Sequence, residues 1–200
     1  MLRRLPVVIA VLAAALLLVP AALAVRVHVR VEGKTRTIFG PAEPTLSVTA
    51  NALDALEAAS LAGEFYYHVT VTGFGPYVDQ IGRYPAGASS GWVFKLNGVS
   101  PPVGADAVQL KAGDRVLWYW ADFGPSGGPP TLELKRTARN CYRVLSQDDN
   151  GKTTTALGAV LHLGSRSVPT HKGAACVGPH RRLVKATLPG GVAVRSNALA

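Results

Sequence analysis

Three stretches of this 200-residue chain carry residue types whose spacing can do chemistry. Gly87-Ala88-Ser89-Ser90-Gly91 matches G-x-S-x-G, the nucleophile elbow. That elbow works only when a strand leads in and a helix leads out, because the sharp turn between them presents the serine. Here a loop precedes and a strand follows, so the match reads as chance and no catalytic residue is assigned. Cys141, His171, Cys176 and His180 can be written as a zinc set. Zinc needs both sulfurs as thiolates, whereas two cysteines in an exported chain pair with one another. The reading is a Cys141–Cys176 disulfide with two loop histidines beside it. Asp148-Asp149-Asn150-Gly151 opens like a calcium loop but lacks the downstream bidentate glutamate, so it reads as a hairpin turn. No glycine-rich loop opens a helix in the way that phosphate binding requires. The expectation is a protein that is not an enzyme and holds no metal and no cofactor.

What remains is aromatic. All three tryptophans fall between Gly91 and Ala121. Trp92, Phe94 and Leu96 alternate along one strand, Asn97-Gly98 turns the chain, and Gly113-Asp114 turns it again into a second strand. There Val116, Trp118 and Trp120 share one face, while Leu117 and Tyr119 take the other. Trp92, Phe94, Val116 and Trp118 are expected to pack on a helix around Leu53 and Leu56, since large aromatics dominate small cores. Tyr77, Tyr119 and Trp120 are the candidate ligand-binding residues, because alternation or strand-end position brings them to the opposite face or the rim. The same face equally suits docking of the rest of the chain.

The elements that position these residues follow in order. Arg3-Arg4, the apolar run Val7–Val19 and Ala22-Leu23-Ala24 form the three-part pattern of a secretory signal peptide, residues 1–24, cleaved after Ala24. The run is short for a membrane span, so the mature protein is expected to be secreted or extracytoplasmic and free of an integral membrane segment. Val25, Val27, Val29 and Val31 then alternate with Arg26, His28, Arg30 and Glu32, a strand with one apolar and one charged, solvent-facing side. Thr35–Phe39 returns as a second strand. Thr49–Leu61 reads as a helix capped by Thr49 and stopped by Gly63, and Phe65–Thr72 as a further strand. Residues 73–91 read as a long loop broken by the short apolar piece Tyr77-Val78 to Ile81-Gly82.

Hairpin, helix and further strands in that order make a β-grasp, a mixed sheet curled over one helix. Gly75-x-Tyr77-Val78-x-x-Ile81-Gly82, then Gly91-Trp92-x-Phe94-x-Leu96-Asn97-Gly98, then Leu110-x-x-Gly113-Asp114-x-Val116-x-Trp118 resemble the C-terminal domain of transcobalamins and the bacterial secreted domains grouped with it. The resemblance spans about residues 25–122. It implies a β-grasp binding module outside the cytoplasm, with cobalamin as the ligand class. In transcobalamins a helical barrel holds most of that ligand. Here the leader runs straight into the first strand, so corrinoid binding would need a separate partner.

Phe123–Pro130, FGPSGGPP, can neither pair as a central strand nor continue a helix, and marks a linker at residues 123–130. Residues 131–200 read as a small β-sandwich built from Leu132–Lys135, Cys141–Ser146, Ala159–Leu163, Ala174–Val177, Leu183–Ala186 and Val192–Ser196, separated by Gly, Asn and Pro turns. The run Thr170–Cys176, with Leu183–Thr187 and Arg195–Asn197, resembles the immunoglobulin-like or transthyretin-like modules of bacterial surface proteins. The predicted fold class is therefore α+β, a β-grasp-like domain (25–122) followed by an all-β sandwich (131–200) with one disulfide.

The formal net charge is +9. Residues 25–130 hold eight Lys/Arg against nine Asp/Glu, and residues 131–200 hold eleven against three. A basic second half reads first as a solvated surface that keeps the protein soluble, and otherwise suits an anionic envelope polymer or lipid head groups. Nucleic acid is not expected, because single-strand binding interleaves aromatics with positive charge, and here the two lie in different halves. The function expected is that of a secreted binding or adhesion module.

Overall fold

The computed structural model describes residues 24–125 and 127–200. The expected leader lies outside the described residues except for Ala24. The described chain is mostly β-strand, arranged in several sheets, with a single α-helix.

The first half contains β1 (Val25–Glu32), β2 (Thr37–Phe39), β3 (Thr45–Val48), α1 (Ala52–Gly63), β4 (Tyr67–Thr72), β5 (Gly75–Ile81), β6 (Tyr84–Pro85), β7 (Ser90–Leu96) and β8 (Arg115–Asp122). The main sheet runs β2-β1-β8-β7, with β3 also paired to β1. β1 and β8 are parallel, and the other pairs are antiparallel. Val27, Val29 and Val31 are fully buried and share one core with Leu56, Trp92, Val116 and Trp118, as their alternation requires. Ala52, Ala55, Leu56 and Ala59 form the buried stripe of α1, three of them small, so the helix backbone lies close on the sheet.

Asn51, not Thr49, caps the helix. Its side-chain oxygen accepts from the Leu53 and Asp54 amides at 3.0 and 2.9 Å. Asp54 accepts in return from the Asn51 amide at 3.1 Å. The reciprocal capping box satisfies donors that Thr49, two residues too early, does not reach. The helix ends through Glu64 in the left-handed region, with φ 50°. β5 occupies residues read from sequence as a loop, and β3 falls in a stretch to which the sequence assigned no element. Gly75-Pro76 at the start of β5 imitates a turn, but pairing with β4 makes these residues a hairpin.

The second half contains β9 (Thr131–Ala138), β10 (Cys141–Gln147), β11 (Thr153–Thr155), β12 (Val160–Leu163), β13 (Arg166–Pro169), β14 (Ala174–Cys176) and β15 (Lys185–Thr187). β9, β10, β11 and β14 make one sheet and β12, β13 and β15 another. Leu132, Leu134, Tyr142, Val144, Leu161, Ala186 and neighbouring residues form their common core. Cys141 and Cys176 face each other across β10 and β14 and are joined as a disulfide. The expected strand at Val192–Ser196 does not form. Pro189–Gly191 coils tightly instead, and Val194 only bridges Thr131.

The halves meet along the side of the main sheet opposite α1. Leu117, Tyr119 and Ala121 of β8 join Val194 in a small apolar cluster of their own. The charged face of β1, expected in solvent, is covered along its second half: Arg30 is 3 % exposed and Glu32 1 %, whereas Arg26 stays exposed and His28 half-buried. Burial is tolerable because the charges are paired. Arg195 Nε lies 2.9 Å from Glu32, Arg30 lies 3.4 Å from Glu32 and 3.2 Å from Glu43, and Arg30 also donates to the Arg195 carbonyl at 2.7 Å. Lys95, fully buried, donates to the Asp148 carbonyl at 2.7 Å and lies 3.4 Å from the Asp149 carboxylate. Burial pulls the Lys95 pKa down, and Asp149 and Asp148 pull against it.

Candidate ligand site

β7 is the outer strand of the main sheet. The Asn97 amide bonds the Arg115 carbonyl and the Phe123 amide bonds the Ser89 carbonyl, which fixes the alternation of the β7–β8 ladder. Odd-numbered residues of β7 direct their peptide groups to β8, and Trp92 and Phe94 direct theirs away. The hydroxyl of Tyr77, reaching across from β5, lies against this edge beside Gly91. Gly91 makes this possible, since a Cβ there would lie 2.5 Å from the Tyr77 hydroxyl.

Beside this edge opens a cleft of about 330 Å³. Its walls include Tyr77, Trp92, Phe94, Pro101, Tyr119 and Phe123, and Asp149 of the second half closes one end. The deeper rings are fixed. The Trp92 indole donates to the Tyr84 carbonyl at 2.9 Å and that of Trp118 to the Ala52 carbonyl at 3.1 Å. Phe94 stacks on Trp118 with ring centres 5.1 Å apart. Tyr77 and Phe123, 40 % and 44 % exposed, stand at the mouth. Burial, then the Asp79 carboxylate, raises the Tyr77 pKa, so its hydroxyl stays protonated at neutral pH.

Of the three residues singled out from sequence, Tyr77 and Tyr119 come together at this cleft. Tyr119 is only 1 % exposed, because the second half covers it. Its hydroxyl sits 3.5 Å from Asp149, and burial, then that carboxylate, raises its pKa. Trp120 lies elsewhere. It lines a second cleft of about 410 Å³ with Lys34, Asp122 and Arg195, and its indole donates to Asp122 at 3.2 Å. Phe94 was read as core and Pro101, Phe123 and Asp149 were not read as site residues. Phe94 was recoverable from the free edge of β7. Asp149 was not, since it arrives from a separate sheet.

Residues 49–122 match the family model of a domain of unknown function, DUF4430. The match ends where β8 ends and leaves the second half uncovered. Among solved structures, a crystal structure of "a putative metal binding protein from Ruminococcus gnavus ATCC 29149" is similar at 14 % identity and a TM-score of 0.39, covering 49 % of this chain and 97 % of that one. The curated proteins contain no match. Among the described residues no group of three or more His, Cys, Asp and Glu side chains stands together as metal ligands. Of the zinc set written from sequence, both sulfurs are in the disulfide, and His180 is bonded to the Tyr142 hydroxyl at 3.0 Å. Ser89 lies in the turn leading into β7, not on a strand–helix elbow. No helix among the described residues is long and apolar enough to cross a membrane, and the disulfide suits a fold made outside the cytoplasm.

Proposed function

We propose that this protein is a secreted, non-catalytic binding module in which residues 25–122 form a transcobalamin-like β-grasp domain and residues 131–200 a β-sandwich docked against it. The observation that carries the reading is the aromatic-walled cleft at the free edge of β7. Its volume falls at the lower end of the ~300–1,000 Å³ usual for small-molecule sites. Its chemistry is apolar walls, an outward amide at Phe94, and one carboxylate, Asp149. Such a site takes a flat or sugar-sized group that stacks on rings, accepts one backbone hydrogen bond and donates a hydroxyl or amine proton to Asp149.

Native mass spectrometry of the full mature chain, isolated under non-denaturing conditions from its own secretions, tests this. A small molecule retained by the wild type and lost from Phe94→Ala and Tyr77→Ala supports the cleft. Retention unchanged in both variants overturns it. A corrinoid is the second ligand to try, on the transcobalamin resemblance. Adding cobalamin should then change its visible spectrum, and an unchanged spectrum at excess protein removes that alternative.

A further inference from the structure

Charge in the second half is sorted by position. Its three acids all lie at the junction. Glu133 pairs with Arg115 at 3.0 Å and with Lys135 at 3.3 Å. Asp149 lies against Lys95 and accepts from the Ser100 hydroxyl at 3.0 Å, and the Asp148 carbonyl is bonded to Lys95. Of the eleven Lys/Arg in the same stretch, Lys135 and Arg195 are taken up in ion pairs. The other nine (eleven less two) have no acid within ion-pair distance among the described residues.

Five of these are arginines gathered at one end. β9 and β10 start and finish at the junction, where Thr131 faces Gln147 and Lys95 reaches both. They run away from it to the Ala138–Cys141 hairpin, about 20 Å distant at the usual strand rise. There the Arg136 guanidinium lies 5.8 Å from the Tyr142 ring centre. The Tyr142 hydroxyl bonds His180 Nε2, while His180 Nδ1 donates to the Arg182 carbonyl at 2.8 Å. Arg166 donates to the Val177 carbonyl at 3.0 Å, and the Val177 amide to that of Asn140 at 2.9 Å, next to Arg139. The disulfide ties Cys141 and Cys176, the immediate neighbours of Asn140 and Val177. Arg136, Arg139, Arg166, Arg181 and Arg182 are all exposed and stand on one covalently pinned framework.

We propose that this distal arginine end is the docking surface for a linear phosphodiester polymer of the cell envelope. The inference rests on the extracytoplasmic part of the proposed function and not on the cleft. Like charges held together without acids repel, a cost that a polyanion relieves. Arginine, which predominates over lysine here, offers a planar fork matching phosphate oxygens. Single-stranded nucleic acid is disfavoured because the one aromatic within the cluster, Tyr142, is 1 % exposed and presents no stacking face. A lipid surface is disfavoured because, among the described residues, Leu183 is the one exposed large apolar side chain adjoining these arginines in the chain.

The test is equilibrium binding of the full mature chain, disulfide intact, to purified poly(glycerol phosphate) over a range of NaCl concentrations. Binding that weakens steeply with salt is expected. Arg139→Gln/Arg181→Gln should lose about tenfold or more in affinity and flatten the log–log salt slope by about 0.7 per lost contact. Both side chains are exposed, so its thermal midpoint should match the wild type. Arg139→Lys/Arg181→Lys should recover part of the loss, and Lys111→Gln on the first half should bind as the wild type does. Absence of binding at low salt, or an undiminished Gln variant, overturns the proposal. Equal or tighter binding to single-stranded DNA or to phosphatidylglycerol vesicles also overturns it, by giving the surface to a different partner. Tyr77→Ala should leave polymer binding intact, so failure of the cleft and failure of this surface are separately visible.

Discussion

The two halves of the molecule solve the same problem differently. The first half builds a core around three tryptophans and one helix, and keeps an apolar cleft open at its sheet edge. The second has one buried aromatic, Tyr142, in a core of small and medium side chains, and a disulfide closes a 35-residue separation within it. A short stretch of chain with so little core needs a covalent tie. Charge divides likewise. The first half is nearly neutral, and the second exposes cations at the end farthest from its partner. The two surfaces proposed to bind, one by stacking and one by charge, thereby lie apart.

The comparison can be broken most sharply at the disulfide. Replacing Cys141 and Cys176 with serine should cost about 4 kcal/mol by the chain-entropy argument. If the halves draw on separate stabilising resources, near-ultraviolet signal from the tryptophans should survive to higher denaturant than the amide signal of β9–β15. Simultaneous loss of both would show one cooperative unit. Glu32→Ala comes next, at about 3 kcal/mol, because it removes the buried carboxylate shared by Arg30 and Arg195, frees Arg195 and leaves the buried Arg30 with Glu43 alone. Chemical denaturation should show the loss, and amide exchange should rise first in β1 and near Arg195. Asn51→Ala removes the helix cap and should cost about 1 kcal/mol, confined to the first half and read as faster exchange at Leu53 and Asp54.

The smallest effect is one of pH at the junction. Tyr119 has a raised folded pKa, so its contribution is present below its unfolded value of about 10 and fades as pH rises above it. Lys95 has a lowered folded pKa, so the unfolded chain binds its proton more readily and stability from this residue grows as pH rises toward 10.5. Tyr119→Phe should flatten the alkaline loss of stability and Lys95→Met should steepen it. Denaturation midpoints between pH 8 and pH 11 check both signs.

Much of the fold was legible because alternation is a local property. β1 has the bounds its Val/charge alternation implied, and Trp92, Val116 and Trp118 lie in the core with Leu56 as the pattern required. Thr49 was mistaken for the cap because a capping box is recognised only when both Asn51 and Asp54 are weighed together. β5 was missed because Gly75-Pro76 signals a turn while the partner strand, β4, supplies the pairing. The site was half legible. Tyr77 and Tyr119 meet at the cleft, whereas Trp120, at the far end of β8, turns to Lys34 and Asp122 and lines the other cleft.

The sequence by itself determined that β1, β7 and β8 are strands with one apolar face each, that two cysteines were available to pair, and that positive charge belongs to the second half. Each of these depends on neighbours a few positions away or on composition. Only the tertiary structure decided that Arg30 and Glu32 on the charged face of β1 are buried, that Tyr119 is covered, and that Asp149 lines a cleft built by β5 and β7. Those outcomes depend on which surface one half presents to the other. A period of two separates the faces of a strand but carries no information about which distant segment will cover them.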